Sequence, residues 1–196
     1  MTDAASGRLR VHALDRHVLD GVVVDPEAPG DRKRLDVGVL PYFEDERPLQ
    51  GLAGFVDWRT DGRLSALMRT GFCTGRSGEA VLLPGRRTLP AQRWVLVGLG
   101  RSTGFHDERA RQTATWIVDT VERLGARDVL MALPGRVPER AAVEEMFAGM
   151  VVELRRAPAA RLAEEGPLPC WWVIAEGRHV ARLRRLLEGP PRAARE

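Results

Sequence analysis

The 196-residue sequence predicts an α/β fold, a three-layer α/β/α sandwich around a mixed, mainly parallel sheet. Three observations predict it. Trp94 to Val97 is an unbroken apolar run of β-formers ended by Gly98, as expected for a central strand buried on both faces. Directly after it, Ala110, Ala114, Ile117, Val118, Val121 and Leu124 recur at spacings of three and four, one apolar helical face closed by Gly125 as C′ residue. From about residue 35 onward, short apolar runs and helical periodicities alternate, the pattern of a sheet covered by helices on both faces.

The elements follow in order. Arg8 to Leu14 alternates, with Leu9, Val11 and Ala13 on one side and Arg10 and His12 on the other, a half-buried strand. Val22 to Val24 reads as a second strand and residues 25–34 as a polar loop. With no helix between them, these N-terminal strands are expected to add an antiparallel edge. Leu35 to Leu40 is a strand from which Pro41 begins the exit, and Glu44-Asp45-Glu46 is a solvated acidic cluster at its end. Leu49 to Trp58 reads as a short helix or turn-rich segment, loosened by Gly51 and Gly54, and Asp61 as the N-cap of a helix through Met68. Gly71 to Glu79 is a glycine-rich connector into the strand Ala80 to Leu83. It lacks the lysine-serine ending of a P-loop and precedes a strand, so a structural turn is expected.

After the central βα unit, Val129 to Leu133 is a strand. Pro138 introduces a helix carrying Ala142, Val143, Met146, Phe147 and Met150, and Val151 to Leu154 is expected to form a short strand. Cys170 to Ala175 is the last strand, and Gly177 opens a helix with Val180, Leu183, Leu186 and Leu187 inside. Gly189-Pro190-Pro191 breaks it, leaving 189–196 as a disordered tail. No repeat or linker divides the sequence, so one domain is read over 1–196.

Composition narrows the function. Hydrophobic content of 44% and charge of 29% are those of a globular protein long enough to bury a large core. The pI is 9.5, yet the formal net charge is only +3 and a single lysine, Lys33, stands among 30 basic residues. The high pI reflects arginine usage, so no nucleic-acid partner is expected. No signal sequence and no run of about 20 apolar residues is visible, so no membrane role and a cytoplasmic location are expected. Cys73 and Cys170 have neither disulfide nor metal-ligand spacing and read as reduced thiols. His12, His17, His106 and His179 form no metal-binding pair, and Ser65 and Ser77 lack a nucleophile elbow. No catalytic residue, metal or cofactor is assigned.

Two binding candidates remain. Ligands of open α/β sheets settle beyond the carboxyl ends of the strands, near helix N-termini. That places a candidate anion site at Gly98, Leu99, Gly100, Arg101 and Ser102, with Arg101 as charged clamp. Asp57-Trp58-Arg59 sets a tryptophan between opposite charges, a composition enriched at interface hot spots, against a plain reading in which Trp58 packs on the core beside an Asp57–Arg59 pair. On the last helix Arg178, Arg182 and Arg185 share a face that could meet an acidic partner.

The order of motifs from Asp36-Val37-Gly38-Val39 through Phe43-Glu44-Asp45, Gly62 to Leu67, Gly71-Phe72, Gly75, Gly78-Glu79 and Leu82-Leu83-Pro84 to Val95 to Gly100 resembles one family. It is similar to the macro-domain-like N-terminal domain of the M17 leucyl aminopeptidases, over residues 8–155, with 156–188 as an added strand and helix completing the domain. The resemblance implies an α/β macro-like fold. In that family catalysis belongs to a separate C-terminal domain whose two metal ions are marked by an Asn-Thr-Asp-Ala-Glu-Gly-Arg-like signature, and nothing in these 196 residues matches it. The resemblance therefore implies a non-catalytic protein-interaction or scaffold module with an unidentified protein partner or a second copy of itself. Its alternatives are a nucleotide or ADP-ribose type of binding domain at Gly98–Ser102, and an accessory subunit of a separately encoded aminopeptidase.

Overall fold

The computed structural model describes residues 9–14, 35–86, 89–134, 140–156 and 170–188. Six strands form one sheet: β1 Leu9–Ala13, β2 Leu35–Tyr42, β3 Ala80–Pro84, β4 Ala91–Gly98, β5 Asp128–Ala132 and β6 Cys170–Ala175, in the order β1-β6-β5-β2-β4-β3. Every neighbouring pair is parallel except β3 with β4. The helices are α1 Gly51–Arg59, α2 Arg63–Arg69, α3 Asp107–Arg123, α4 Arg140–Arg156 and α5 Gly177–Glu188, with a 3-10 turn at Ser102–Gly104.

Alternation along the strands splits the core into two layers, as a period of two requires. Val37, Val39, Val95, Val97, Val129, Met131, Trp171 and Val173 meet Ala114, Ile117, Met146, Phe147 and Leu183 from α3, α4 and α5. Leu40, Tyr42, Trp94, Leu96, Leu130 and Ile174 meet Leu52, Val56, Leu64 and Met68 from α1 and α2. The sandwich is therefore three-layered and the sheet mixed, as the alternation of elements predicts. Ion pairs stitch the outer layer: Arg111 to Glu145 at 2.7 Å, and Arg182 to Glu144. At the amino ends of the strands, the Asp36 carboxylate accepts the N–H groups of Arg127 (2.8 Å) and Asp128 (3.1 Å), setting β5 beside β2.

Four expectations are corrected. β1 is parallel to β6, and the antiparallel edge is β3 at the other side of the sheet. Its partner β6 comes at the far end of the chain, after the other strands and most of the helices, so the lack of a helix directly after β1 did not decide its direction. Val151 to Leu154 continues α4, in which Val151 is buried along with Val143, Phe147 and Met150 while Val152 is exposed. Asp61 is not the N-cap of α2; it takes a positive φ of 57° and Gly62 occupies the N-cap. The capping acceptor comes from the preceding helix, where the Asp57 carboxylate receives the N–H and hydroxyl of Ser65. Finally, β2 runs past Pro41 to Tyr42. Leu99 N–H donates to the Tyr42 carbonyl, so Pro41 faces β5, whose pairing with β2 ends at Val39–Met131, and no ladder donor is lost. The expected strand at Val22 to Val24, the loop 25–34, Pro138 and the tail 189–196 lie outside the described residues.

One glycine sets the packing of the central strands. Gly38 is registered with Trp94, and a Cβ on Gly38 would stand 2.3 Å from the Trp94 ring. The six-membered ring of Trp94 occupies the space beside Gly38 that a side chain would fill, and Trp94 is buried. Overpacking a core commonly costs about 1–3 kcal/mol. Gly38→Ala is therefore expected to destabilise the protein by at least that amount in denaturant unfolding, and Gly38→Ala with Trp94→Leu to recover part of the loss. Equal stability of wild type and Gly38→Ala would refute this packing.

Candidate functional site

The carboxyl ends of β2 and β4 lie side by side, and the chain leaves β4 for β5 on the far side of β2, the kind of switch point where α/β proteins form their binding crevices. Three loops meet there: Phe43–Glu46 after β2, Thr74–Glu79 before β3, and Leu99–Phe105 after β4. Gly98 makes the meeting possible. A Cβ on it would stand 2.1 Å from the Arg76 carbonyl oxygen, so the connector passes directly over its backbone. Gly75, at φ 85°, in turn lies against the Glu44 backbone and the Tyr42 ring.

The polar groups of this junction satisfy one another. Gly98 N–H donates to Glu79 C=O at 2.9 Å, Leu99 N–H to Tyr42 C=O at 3.0 Å and Gly100 N–H to Gly75 C=O at 2.8 Å. Glu44 N–H donates to Gly100 C=O at 2.9 Å. Asp45 receives the Ser102 N–H at 2.8 Å and the Ser102 hydroxyl at 2.7 Å, so a carboxylate of the chain itself sits at the start of the 3-10 turn. These bonds hold the Asp45 carboxyl below the usual range. Gly98, Leu99 and Gly100 are buried, Ser102 is half-buried, and Arg101 is exposed with its charge near Asp45.

Behind the junction lies Glu79, which sequence inspection gave no role. Its carboxylate accepts both Thr74 groups, N–H at 2.9 Å and hydroxyl at 3.1 Å, the Gly75 N–H, and the Tyr42 hydroxyl at 3.3 Å. Burial opposes its ionisation, but the donors from Thr74, Gly75 and Tyr42 outweigh it and hold its carboxyl below the ordinary value. Burial first, and the Glu79 charge second, push the Tyr42 hydroxyl well up. A Gly-x-x-x-Glu spacing was the only trace of this in the sequence.

The acidic cluster is divided in its roles. Glu44 is exposed, Asp45 binds Ser102, and Glu46 accepts the N–H groups of Phe43 (3.2 Å) and Gln50 (2.8 Å), while burial raises its pKa. Among the described residues no group of three His, Cys, Asp or Glu side chains stands close enough to hold a metal ion. Cys73 is buried, and desolvation followed by the Glu79 charge raises its thiol pKa, which disfavours the reactive thiolate. His106 is exposed and its side chain caps nothing, although it occupies the N-cap position of α3; His12 is half-buried and His179 buried.

The second candidate lies on α1. Trp58 is 62% exposed, so the plain reading of a core tryptophan does not hold. Phe55, one turn back, tilts against it at 6.2 Å between ring centroids, and the Arg59 guanidinium stands 5.4 Å over the Phe55 ring. Asp57 points the other way, into the cap of α2. The sequence triplet is thus separated: Trp58 and Arg59 share a surface with Phe55, and Asp57 is structural. The i, i+3, i+4 spacing of Phe55, Trp58 and Arg59 was the signal that would have found Phe55. The arginine stripe of α5 is bonded within the chain: Arg178 pairs with Glu176 at 2.7 Å, Arg182 with Glu144, and Arg185 reaches the Ala181 carbonyl.

Residues 38–157 match the N-terminal domain of the cytosol aminopeptidase family. The chain belongs to that family. Sequence relatives agree: a probable cytosol aminopeptidase of Pseudomonas syringae is 32% identical over 91 residues, 46% of this chain and 18% of that protein. One of Thermosynechococcus vestitus is 34% identical over 100 residues, 50% of this chain and 20% of that protein. The chain thus spans about a fifth of the length of these relatives. Among solved structures, a mutant of tomato leucine aminopeptidase matches with a TM-score of 0.57 at 17% identity, covering 92% of this chain and 35% of that one. A Trypanosoma brucei macrodomain in complex with ADP-ribose matches with a TM-score of 0.63 at 16% identity, covering 93% and 70%. The fold of this family domain is macrodomain-like. No helix among the described residues is long and apolar enough to cross a membrane.

Two outcomes test the junction. A carboxyl group whose pKa is lower folded than unfolded stabilises fully above its ordinary value, 4.5 for Glu79, and the contribution is lost as pH falls through the folded value. Glu46, shifted upward, has the opposite sign, so the comparison is made between variants. Melting temperature should fall more steeply with acidification below pH 4.5 in wild type than in Glu79→Gln; parallel profiles would remove Glu79 from this role. Gly98→Ala should destabilise by more than Gly125→Ala, because only the former drives a Cβ into backbone. The reverse order of chemical-denaturation midpoints would contradict the crossing.

Proposed function

We propose that these 196 residues act as a non-catalytic interaction module of the cytosol aminopeptidase N-terminal type, working in the cytoplasm. Trp58 carries the reading: a large aromatic side chain exposed on a short helix, tilted against Phe55 beside the Arg59 charge. Aromatic and arginine side chains supply most hot-spot energy at protein interfaces, and this surface offers both within two turns. An apolar partner surface with an acidic rim fits it. The match to the family's N-terminal domain, and the lack of any metal-site signature in these residues, support a role in assembly over hydrolysis. An accessory subunit for a separately encoded aminopeptidase is one form such a module would take.

A second reading, a nucleotide or ADP-ribose type of ligand at Gly98–Ser102, is favoured by the position of that loop at the switch point and by the exposed Arg101. Such a ligand would displace Asp45 from Ser102.

Trp58→Ala should abolish capture of the partner in pull-downs while moving stability by no more than about 0.5 kcal/mol, as for an exposed site. Unchanged capture would remove the α1 surface. Hydrolysis of leucyl-p-nitroanilide with Mn²⁺, abolished by chelator, would overturn the non-catalytic reading. For the second reading, ADP-ribose should raise the melting temperature, and more so in Asp45→Asn; no shift in either protein would dismiss it.

A further inference from the structure

The two edges of the sheet are treated differently. At β1 the Arg184 guanidinium of α5 donates to the Val11 carbonyl at 3.1 and 3.3 Å, so the outward backbone is partly covered by charge. This is a common way of blunting an edge against further pairing. At β3 nothing comparable is present among the described residues: Ala80-Val81-Leu82-Leu83-Pro84 carries no charge, has no bulge in its register, and leaves Leu82 50% exposed.

The register states which backbone groups face outward. Gly98 N–H donates to Glu79 C=O and Gly85 N–H to Gln92 C=O, so the residues hydrogen-bonded toward β4 are Glu79, Val81, Leu83 and Gly85. Ala80 and Leu82 therefore turn both N–H and C=O away from the sheet, and Pro84 turns only C=O away.

We propose that this edge pairs antiparallel with β3 of a second copy, about a two-fold axis at Leu82. In that register Leu82 faces its own copy and exchanges two hydrogen bonds, while each Ala80 N–H meets the other copy's Pro84 carbonyl. All four outward donors are used, and the donor that proline lacks costs only the Ala80 carbonyl a partner. The arrangement is isologous and closes on itself, joining two six-stranded sheets into one of twelve. No like charges oppose: Arg86 falls opposite Gly78 of the other copy, and the Glu79 carboxylate is turned into its own loop. Leu82 of the two copies lie side by side, removing that apolar side chain from water. With five residues on each side the interface belongs at the weak end of the range.

Sedimentation equilibrium of the full chain up to about 1 mM reads the association. Wild type should rise with concentration toward twice 21.7 kDa. Leu82→Pro removes an outward N–H without touching the β3–β4 ladder and should weaken association at least about tenfold. If circular dichroism shows that variant unfolded, Leu82→Lys, which sets two like charges face to face, replaces it. Leu82→Cys should form a disulfide dimer under mild oxidation, since directly opposed residues stand about 5.5 Å apart between Cα atoms. Val152→Cys, exposed on α4, serves as the collision control. A monomer at every concentration, a dimer indifferent to the Leu82 variants, or equal cross-linking of both cysteine variants would each overturn the proposal. Trp58→Ala should leave the dimer intact, which separates this edge from the α1 surface.

Discussion

The contact on which the molecule turns is the crossing of Gly98 by the Gly75–Arg76 backbone. At 2.1 Å from the Arg76 oxygen to a Cβ that is not there, only glycine lets the connector lie on β4. With that approach granted, three consecutive N–H groups after Val97 find carbonyls on the connector and on the last residue of β2, and the ends of β2 and β4 join the start of β3 in one bonded cluster. Without it the connector would stand off, the Glu79 carboxylate would lose the Tyr42 hydroxyl, and the start of β3 would lose the Gly98 N–H that anchors it to β4. Buried backbone groups must be paired somewhere, and here the chain pairs them with itself.

That self-sufficiency shapes what the switch point is able to do. Asp45 takes both the N–H and the hydroxyl of Ser102, so the donors at the start of the 3-10 turn are already engaged within the chain. The macrodomain-like fold by itself assigns no ligand to this loop, and its bonding fixes which contacts any ligand there would have to displace. By contrast, Trp58 on α1 and Leu82 on β3 are among the large apolar side chains that face solvent. They lie on separate elements, one offering aromatic side chains and the other backbone donors, which suits two different kinds of contact.

Sequence and structure parted for identifiable reasons. Helical periodicity exposed α3 and α5 because their apolar faces are long. Val151 to Leu154 misled because a short β-branched run at the end of a helix looks like a strand until the face it extends is known. Asp61 has the composition of an N-cap, but the cap of α2 was supplied from eight residues upstream of Ser65, by Asp57. For Trp58 the sequence left surface and core readings both open, since tryptophan in a glycine-flanked segment is equally at home in a core.

By itself the sequence determined the fold class, the positions of most strands and helices, and the family, because hydrophobic period, glycine placement and motif order are local properties of the chain. Tertiary structure decided the direction of β1, the role of Glu79, the occupation of Ser102 by Asp45, and which side of β3 is left open. Each of these depends on partners 5 to more than 150 residues away, and hydrogen-bond pairing over such distances leaves no periodic mark in the chain.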